Sequence, residues 1–318
     1  METIFYFILN MSLASCFVIA ALLLIRLVRP LPGRFIYPLW ALAFIRLVIP
    51  FSLSTPWSIF NFTGGLVKRL ITVETITKSV SAAPGPEKWA AMNMLGAAQR
   101  FMPIEYKSES FRQFFYTCSI LWAIAAAAAI LAACILHFLT ASELRKAVRI
   151  RENLYRSDML LSPVMTGVLR PRIIFPPGLD PDSPEGVMVL AHENIHRRRL
   201  DNLWRTLAIG VVCIHWFNPL AWVMLKAFFA DMELSCDEAV IRKNRYGAAE
   251  RKAYAQTLLR FAEDKRFLIS AAFGSSRVKI RIVNVLDYRR LTVMGAVVSF
   301  VFLLVLALIL LTNPSLGR

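Results

Sequence analysis

Residues 183–205 read SPEGVMVLAHENIHRRRLDNLWR and hold two of the four histidines in a chain of 318 residues. Ser183 is a good helix N-cap, Pro184 suits the first helical position and Glu185 adds an acid to the first turn, so the stretch predicts a helix starting there. His192 and His196 are four apart. On a helix they lie about 40° apart in azimuth and one turn apart in height, so both imidazoles reach one metal ion. Glu193 stands beside the first of them, where its carboxylate can take a proton from water on that metal. This is the H-E-x-x-H pattern, with glutamate as general base rather than ligand. Zinc lowers the pKa of bound water to about 7, which makes hydroxide available at neutral pH. The expected cofactor is one Zn²⁺ per chain. Solvated helix faces also spell this pattern, so a third ligand on another element decides the matter.

The helical pattern continues through 203–217 and meets Asn218-Pro219, a second N-cap and first-position pair, which predicts another helix running to about Lys243. On it, Glu233 and Asp237 are four apart and share a face. The chain runs out about 30 Å from His196 to Trp216, and from Pro219 it returns about 21 Å by Glu233 and about 27 Å by Asp237. A bend near Gly210 would absorb the mismatch. Glu233 is the expected third ligand. Asp201 competes, but five residues past His196 it sits about 140° around the helix and faces away unless the helix breaks. His215 is a candidate transition-state donor, with a hydrogen-bonded core histidine as the plainer reading. His137 ends a long apolar run and is expected at a membrane interface. The five cysteines form neither a disulfide framework nor a C-x-x-C clip, and Cys236 reads as packing.

Composition places the chain in a membrane. Hydrophobic residues make up 57% and mean hydropathy is +0.54. Four apolar runs, 5–25, 35–53, 114–139 and 291–311, are each long enough to cross about 30 Å of hydrocarbon. The first lacks a positive n-region and reads as a retained span rather than a signal peptide. Arg26, Arg29 and Arg34 lie between the first two runs, and about 25 Lys and Arg against about 16 acids lie between the last two. That bias orients the chain with its N-terminus outside and 141–290 in the cytoplasm. The net charge of +16 is accounted for in this way and by contact with anionic lipid, so direct nucleic-acid binding is not expected. Arg46 inside the second run is expected to face a polar interior or to pair with a carbonyl or headgroup.

The predicted architecture is mainly α and polytopic. Residues 1–140 supply three transmembrane helices with an external loop at 54–113, broken by SAAPGPEKW and carrying a short helix near 90–101. Residues 141–290 form a cytoplasmic domain, 291–312 a fourth span, and 313–318 a short external tail. Within the cytoplasmic part, 162–179 (SPVMTGVLRPRIIFPPGL) reads as a strand or hairpin with edge character. The stretch 203–217 is too short to span alone, so a helical hairpin packed on the spans is expected.

Taken together and in this order, the spans, SPVMTGVLRPRIIFP, LAHENIHRRRLDNLW, HWFNPLAW and DMELSCDEAV resemble the BlaR/MecR antirepressor family of membrane zinc metallopeptidases. The resemblance covers the chain from about Ile4 to the fourth run. It implies a gluzincin-like site in which His192, His196 and Glu233 bind zinc, Glu193 is the base and Asp237 orients a ligand from behind. In the best-known members a β-lactam acylates an external C-terminal sensor domain, and the cytoplasmic protease then leads to repressor cleavage and self-cleavage. The present sequence ends at TNPSLGR shortly after the fourth run, with no S-x-x-K serine beyond it, so β-lactam sensing by this chain is not expected.

From these motifs we expect a multi-pass protein of a bacterial-type cytoplasmic membrane acting as a zinc endopeptidase in signal-regulated proteolysis. Arg170, Arg172, Ile173 and Ile174 would offer a strand edge for an extended substrate. The small-residue stretch at Phe273, Gly274, Ser275 and Ser276 reads as a self-cleavage loop or an ordinary linker. Expected partners are membrane lipid, a protein substrate such as a small winged-helix repressor, and a separate sensor protein, with self-association left open. The competing functions are a non-catalytic transducer with a structural zinc site and a housekeeping quality-control protease.

Overall fold

The apolar runs and the two capped helices assemble around one another. The computed structural model describes residues 2–27, 32–49, 51–59, 89–91, 109–263, 275–289 and 292–314. Helix α1 spans Glu2–Leu27, α2 Gly33–Val48 and α3 Glu109–Leu144. A small sheet is followed by α4 (Pro184–Arg199), α5 (Asp201–Ile214), α6 (Pro219–Asn244), α7 (Ala248–Glu263), α8 (Ser275–Leu286) and α9 (Val293–Leu311). Both predicted helix starts are present. Ser183 Oγ accepts from Gly186 N at 3.0 Å. Asn218 Oδ1 accepts from Leu220 N at 3.0 Å and Ala221 N at 3.4 Å. A Cβ on Gly186 would fall 2.0 Å from the Asp180 carbonyl oxygen, so the first turn of α4 requires glycine.

One apolar core joins the long helices to the α5–α6 hairpin. Ala14, Val18 and Ile19 of α1, Trp40, Ala43 and Leu47 of α2, Val212 of α5 and Met224, Phe228 and Met232 of α6 are buried in it. Each large side chain among them contributes about 1.5–3 kcal/mol by leaving water. The hairpin also meets α3, where Trp122 Nε1 donates to Ile214 O at 2.9 Å. Most of α3 otherwise presents bare Leu, Ile and Phe, as a lipid-facing helix does.

Two described helices are long and apolar enough to cross a membrane, Phe7–Leu27 and Gln113–Leu144, and Val297–Leu311 is a shorter apolar stretch. The second run behaves differently from expectation. Pro50 disfavours helical backbone at Ile49, so α2 stops at Val48 after 16 residues, and β1 (Phe51–Thr55) continues where a helix through 53 was predicted. Strand β1 pairs antiparallel with β2 (Trp89–Ala91) and parallel with β7 (Asn313–Pro314). The helix expected near 90–101 lies outside the described residues except for 90 and 91, which belong to β2. Arg46 of α2 is buried and its Nη1 donates to Leu311 O at 2.7 Å, a cation at the carbonyl end of α9.

The second sheet contains β3 (Val148–Arg151), β4 (Leu154–Arg156), β5 (Val164–Thr166) and β6 (Arg172–Phe175), in the order β3-β4-β6-β5. It packs on α4 through Ile173, Phe175, Leu179 and Val189. The order corrects the edge assignment made from sequence. Strand β6 is paired on both sides, parallel to β4 and antiparallel to β5, with Ile173 and Ile174 buried. Arg172 lies over the Tyr155 ring and Arg170 is exposed in the bend before the strand. None of these four residues offers a free edge.

Candidate metal centre

Helix α4 delivers His192 and His196 side by side, with their Nε2 atoms 3.0 Å apart. Helix α6 brings Glu233 against both. Its Oε2 is 3.5 Å from His192 Nε2 and its Oε1 3.7 Å from His196 Nε2. A tetrahedral ion with bonds of about 2.0–2.1 Å separates its donors by about 3.3 Å. The observed separations, measured to a different Glu233 oxygen for each histidine, lie on either side of that value, so these three side chains could hold such an ion.

The far sides of the rings are fixed in turn. Tyr254 of α7 donates its hydroxyl proton to Asp237 Oδ1 at 2.8 Å. Its oxygen therefore accepts from His192 Nδ1, also at 2.8 Å, which leaves the Nε2 lone pair for a metal. Asp237 Oδ1 itself lies 3.3 Å from His192 Nδ1. Behind His196, Asp201 Oδ2 stands 2.5 Å from Nδ1. Asp201 is fully buried, with Arg199 Nε 3.3 Å from its other oxygen and the Tyr37 hydroxyl donating to it at 3.4 Å.

The sequence reading left Asp201 out of the site because a continuous helix turns it away. The helix does break. Leu200 adopts a left-handed conformation (φ 55°, ψ 39°) between α4 and α5, and the chain turns there rather than near Gly210, which lies inside α5. This conformation costs a non-glycine residue about 1–2 kcal/mol. The turn swings Asp201 behind His196 as an orienting acid. It also makes the outward leg, Asp201–Ile214, about 21 Å long, equal to the return from Pro219 to Glu233.

Cys236 is buried behind His192, its sulfur 3.6 Å from Nδ1. With the two histidines it forms a group whose donor atoms lie within 4.8 Å of one another. It meets the Nδ1 side, however, so ligation through it would require His192 to give up Tyr254. Glu193 is half-buried on α4 and, among the described residues, its carboxylate has no ion pair or hydrogen bond. His215 is not at the site. It caps the far end of α5, about 21 Å along the helix from Asp201, and its Nε2 is 3.0 Å from Leu47 O. The structure therefore does not bring His215 to the place a transition-state donor would need. Phe273 and Gly274 lie outside the described residues, and Ser275 and Ser276 open α8.

Two arginines missed in the sequence reach Glu233. Arg205 of α5 bonds its Oε1, and Arg281 of α8 places Nη1 3.2 Å from Oε2. Burial opposes every charge in this cluster, yet the neighbours prevail. Arg281 and then His196 hold the Glu233 carboxyl well below its ordinary range, and Arg281 and His192 bring Asp237 to about 2. His192 is held above an ordinary imidazole by Cys236, Tyr254 and Asp237, and His196 by Cys236, Glu233 and Asp201. The centre favours positive charge, as a metal site must.

This chain is 34% identical over 175 residues to the regulatory protein BlaR1 of Bacillus licheniformis, a match covering 52% of this chain and 28% of that relative. The chain thus matches little more than a quarter of the length of that curated relative. A family model described as BlaR1 peptidase M56 matches residues 6–285. With that match extending over most of its length and containing all three donors, the chain belongs to the BlaR1 peptidase M56 family.

Proposed function

We propose that this protein is a membrane zinc endopeptidase whose active site faces the cytoplasm and which acts in signal-regulated proteolysis. The observation that carries the reading is the placement of the His192, His196 and Glu233 donors at the spacing of a tetrahedral ion, with each histidine anchored through its other nitrogen. When bound, zinc would acidify water and polarise a substrate carbonyl. Glu193, half-buried beside His192, accepts the proton of the attacking water and returns it to the leaving amine. Asp237 and Asp201 keep both Nε2 lone pairs turned to the centre.

The orientation is supported by the basic connection between α1 and α2. Arg26 Nε is 3.0 Å from Asp231, two residues from Glu233, so the arginine-rich end of the first two helices is the metal-site end. Basic connections stay on the cytoplasmic side. In this reading the apolar stretches of α1, α2, α3 and α9 form four spans, with β1 extending the external end of α2.

For substrate we propose an extended protein segment, such as part of a small repressor or this chain's own 273–276 region. Among the described residues strand β5 has one partner strand, and the Asn202 amide, beside Asp201, donates to the carbonyls of its Met165 and of Gly167 just past it. An incoming strand is held along that side rather than on β6.

The test is Glu193→Gln in the purified full chain. It retains one zinc per chain and loses proteolysis by at least about 10³-fold, more than the usual share of one acid–base group because the base also positions the water. Zinc in both proteins with no proteolysis in either would leave a structural metal site in a non-catalytic transducer.

A further inference from the structure

Helix α8 supplies no metal donor, yet it sends a guanidinium into the centre. Arg281 Nε and Nη2 each lie 2.8 Å from an oxygen of buried Asp237. This two-point grip fixes the plane of the group. Nη1 then stands 3.2 Å from Glu233 Oε2, and Nη2 lies 3.5 Å from His192 Nε2. A fixed cation this close to a dication weakens metal binding by repulsion. Through Asp237 it steadies His192, and Nη1, on the other edge of the group, is left for a second role.

A cavity of about 270 Å³ opens beside it, with Glu233, Arg281, Arg26 and Lys226 in its wall among apolar residues such as Leu23 and Ile280. Among the described donors that line the cavity, Arg281 stands nearest the three candidate metal ligands. The Tyr254 hydroxyl donates to Asp237, Arg205 does not line the cavity, Arg26 lines it but grips Asp231, and Lys226 lines it from a position about 10 Å along α6 from Glu233. His215 is at the opposite end of the hairpin. A mostly apolar wall increases the worth of a preorganised donor.

We propose that Arg281 is a catalytic residue that donates to the scissile carbonyl oxygen and takes up the negative charge developing there. This rests on the endopeptidase reading above. As water adds to the carbonyl carbon, the new C–O bond forms, a water proton passes to Glu193, and the carbonyl π pair moves onto the oxygen facing Nη1. On collapse that pair restores the carbonyl, the C–N bond breaks, and the proton on Glu193 goes to the leaving nitrogen. Arg281 stays protonated throughout.

The experiment uses detergent-purified, zinc-loaded full chain with Arg281→Gln and Arg281→Lys. β-Casein serves as a general protein substrate, and a phosphinic pseudopeptide and a peptide hydroxamate serve as binding probes. The phosphinic group mimics the tetrahedral oxyanion; the hydroxamate binds the metal in the plane of the ground state. Arg281→Gln should keep one zinc per chain and lower kcat on β-casein by about 10²–10³-fold with KM changed less than about threefold. It should weaken the phosphinic probe by about 100-fold or more and the hydroxamate by less than about threefold. Arg281→Lys, which keeps the charge and loses the two-point grip, should fall between. Lost zinc in both variants, or equal weakening of both probes, would reduce Arg281 to a structural part and overturn the assignment. Unchanged phosphinic affinity overturns it as well. A wild-type chain that carries zinc but neither binds the probes nor cuts β-casein overturns the endopeptidase reading, and the assignment falls with it.

Discussion

The two histidines of the centre are held in opposite ways. His196 is anchored locally, by an aspartate five residues further along that a single left-handed residue brings round behind it. The anchor of His192 is assembled from three other helices: Asp237 of α6, Tyr254 of α7 and, through Asp237, Arg281 of α8. A local anchor forms with its own turn of chain. An assembled one exists only while the helices that supply it stay packed. The His192 side is therefore the one that depends on how those helices pack.

Asp237→Asn should break the comparison most severely. It turns one of the two carboxylate oxygens into an amide donor, so Tyr254 and Arg281 compete for the remaining acceptor and Arg281 loses its buried countercharge, at about 3–5 kcal/mol of stability. Zinc affinity should fall more than about 100-fold, read by competition with a chromophoric chelator. Asp201→Asn weakens only the local anchor, by taking its charge, and should weaken zinc by about 10–100-fold. If the two variants lost affinity equally with equal loss of thermal stability, the distinction between local and assembled anchors would be wrong.

Acid unfolding of the metal-free protein sharpens the same contrast. The Asp237 carboxyl titrates at about 2 in the folded chain against an ordinary 3.8. Its folded value is depressed, so its stabilisation is complete above pH 3.8 and is lost as pH falls toward 2. The difference is worth about 2 kcal/mol. Denaturant titrations at pH 5, 3.5 and 2.5 should show that loss in wild type and a flatter profile in Asp237→Asn. The smallest effect belongs to the turn itself. Leu200 is 41% exposed, so Leu200→Gly should relieve backbone strain and stabilise the protein by about 1 kcal/mol without altering zinc affinity. A destabilised variant would mean that the leucine side chain, not its backbone, secures the turn.

Much of the site was legible because its rules are local. Ser183-Pro184 and Asn218-Pro219 announce their helices through side chains that bond the adjacent backbone, and the four-residue spacings place His192 with His196 and Glu233 with Asp237. The left-handed turn was hidden because Leu200 carries no glycine or asparagine signal. Asp201 was misplaced in consequence. Tyr254 and Arg281 look like any aromatic and any cation on an amphipathic helix, and only tertiary packing gives them their partners. Strand order failed for a similar reason: β4 bypasses β5 to pair with β6, a non-local choice that no hairpin signal specifies. The stop at Val48 was written in Ile49-Pro50, but a continuous hydropathy run concealed it.

Helix α6 is gripped on either side of its metal-facing turn. Asp231 binds Arg26 of α1 and the Trp40 indole of α2, and Glu238 accepts the Gly33 and Arg34 backbone N–H groups that open α2. At Gly33 the backbone lies so close that an added Cβ would be 2.8 Å from Leu234 Cβ. The two grips are seven residues apart, about 10 Å, with Glu233 and Asp237 between them. They work as a spindle mount. A turn of α6 by about 10° sweeps a carboxylate about 5.5 Å from its axis through about 1 Å. A misplacement of that size is enough to cost about 10²-fold in rate. The pair of helices that enters the apolar core thus sets the angle of the two carboxylates that face the candidate centre.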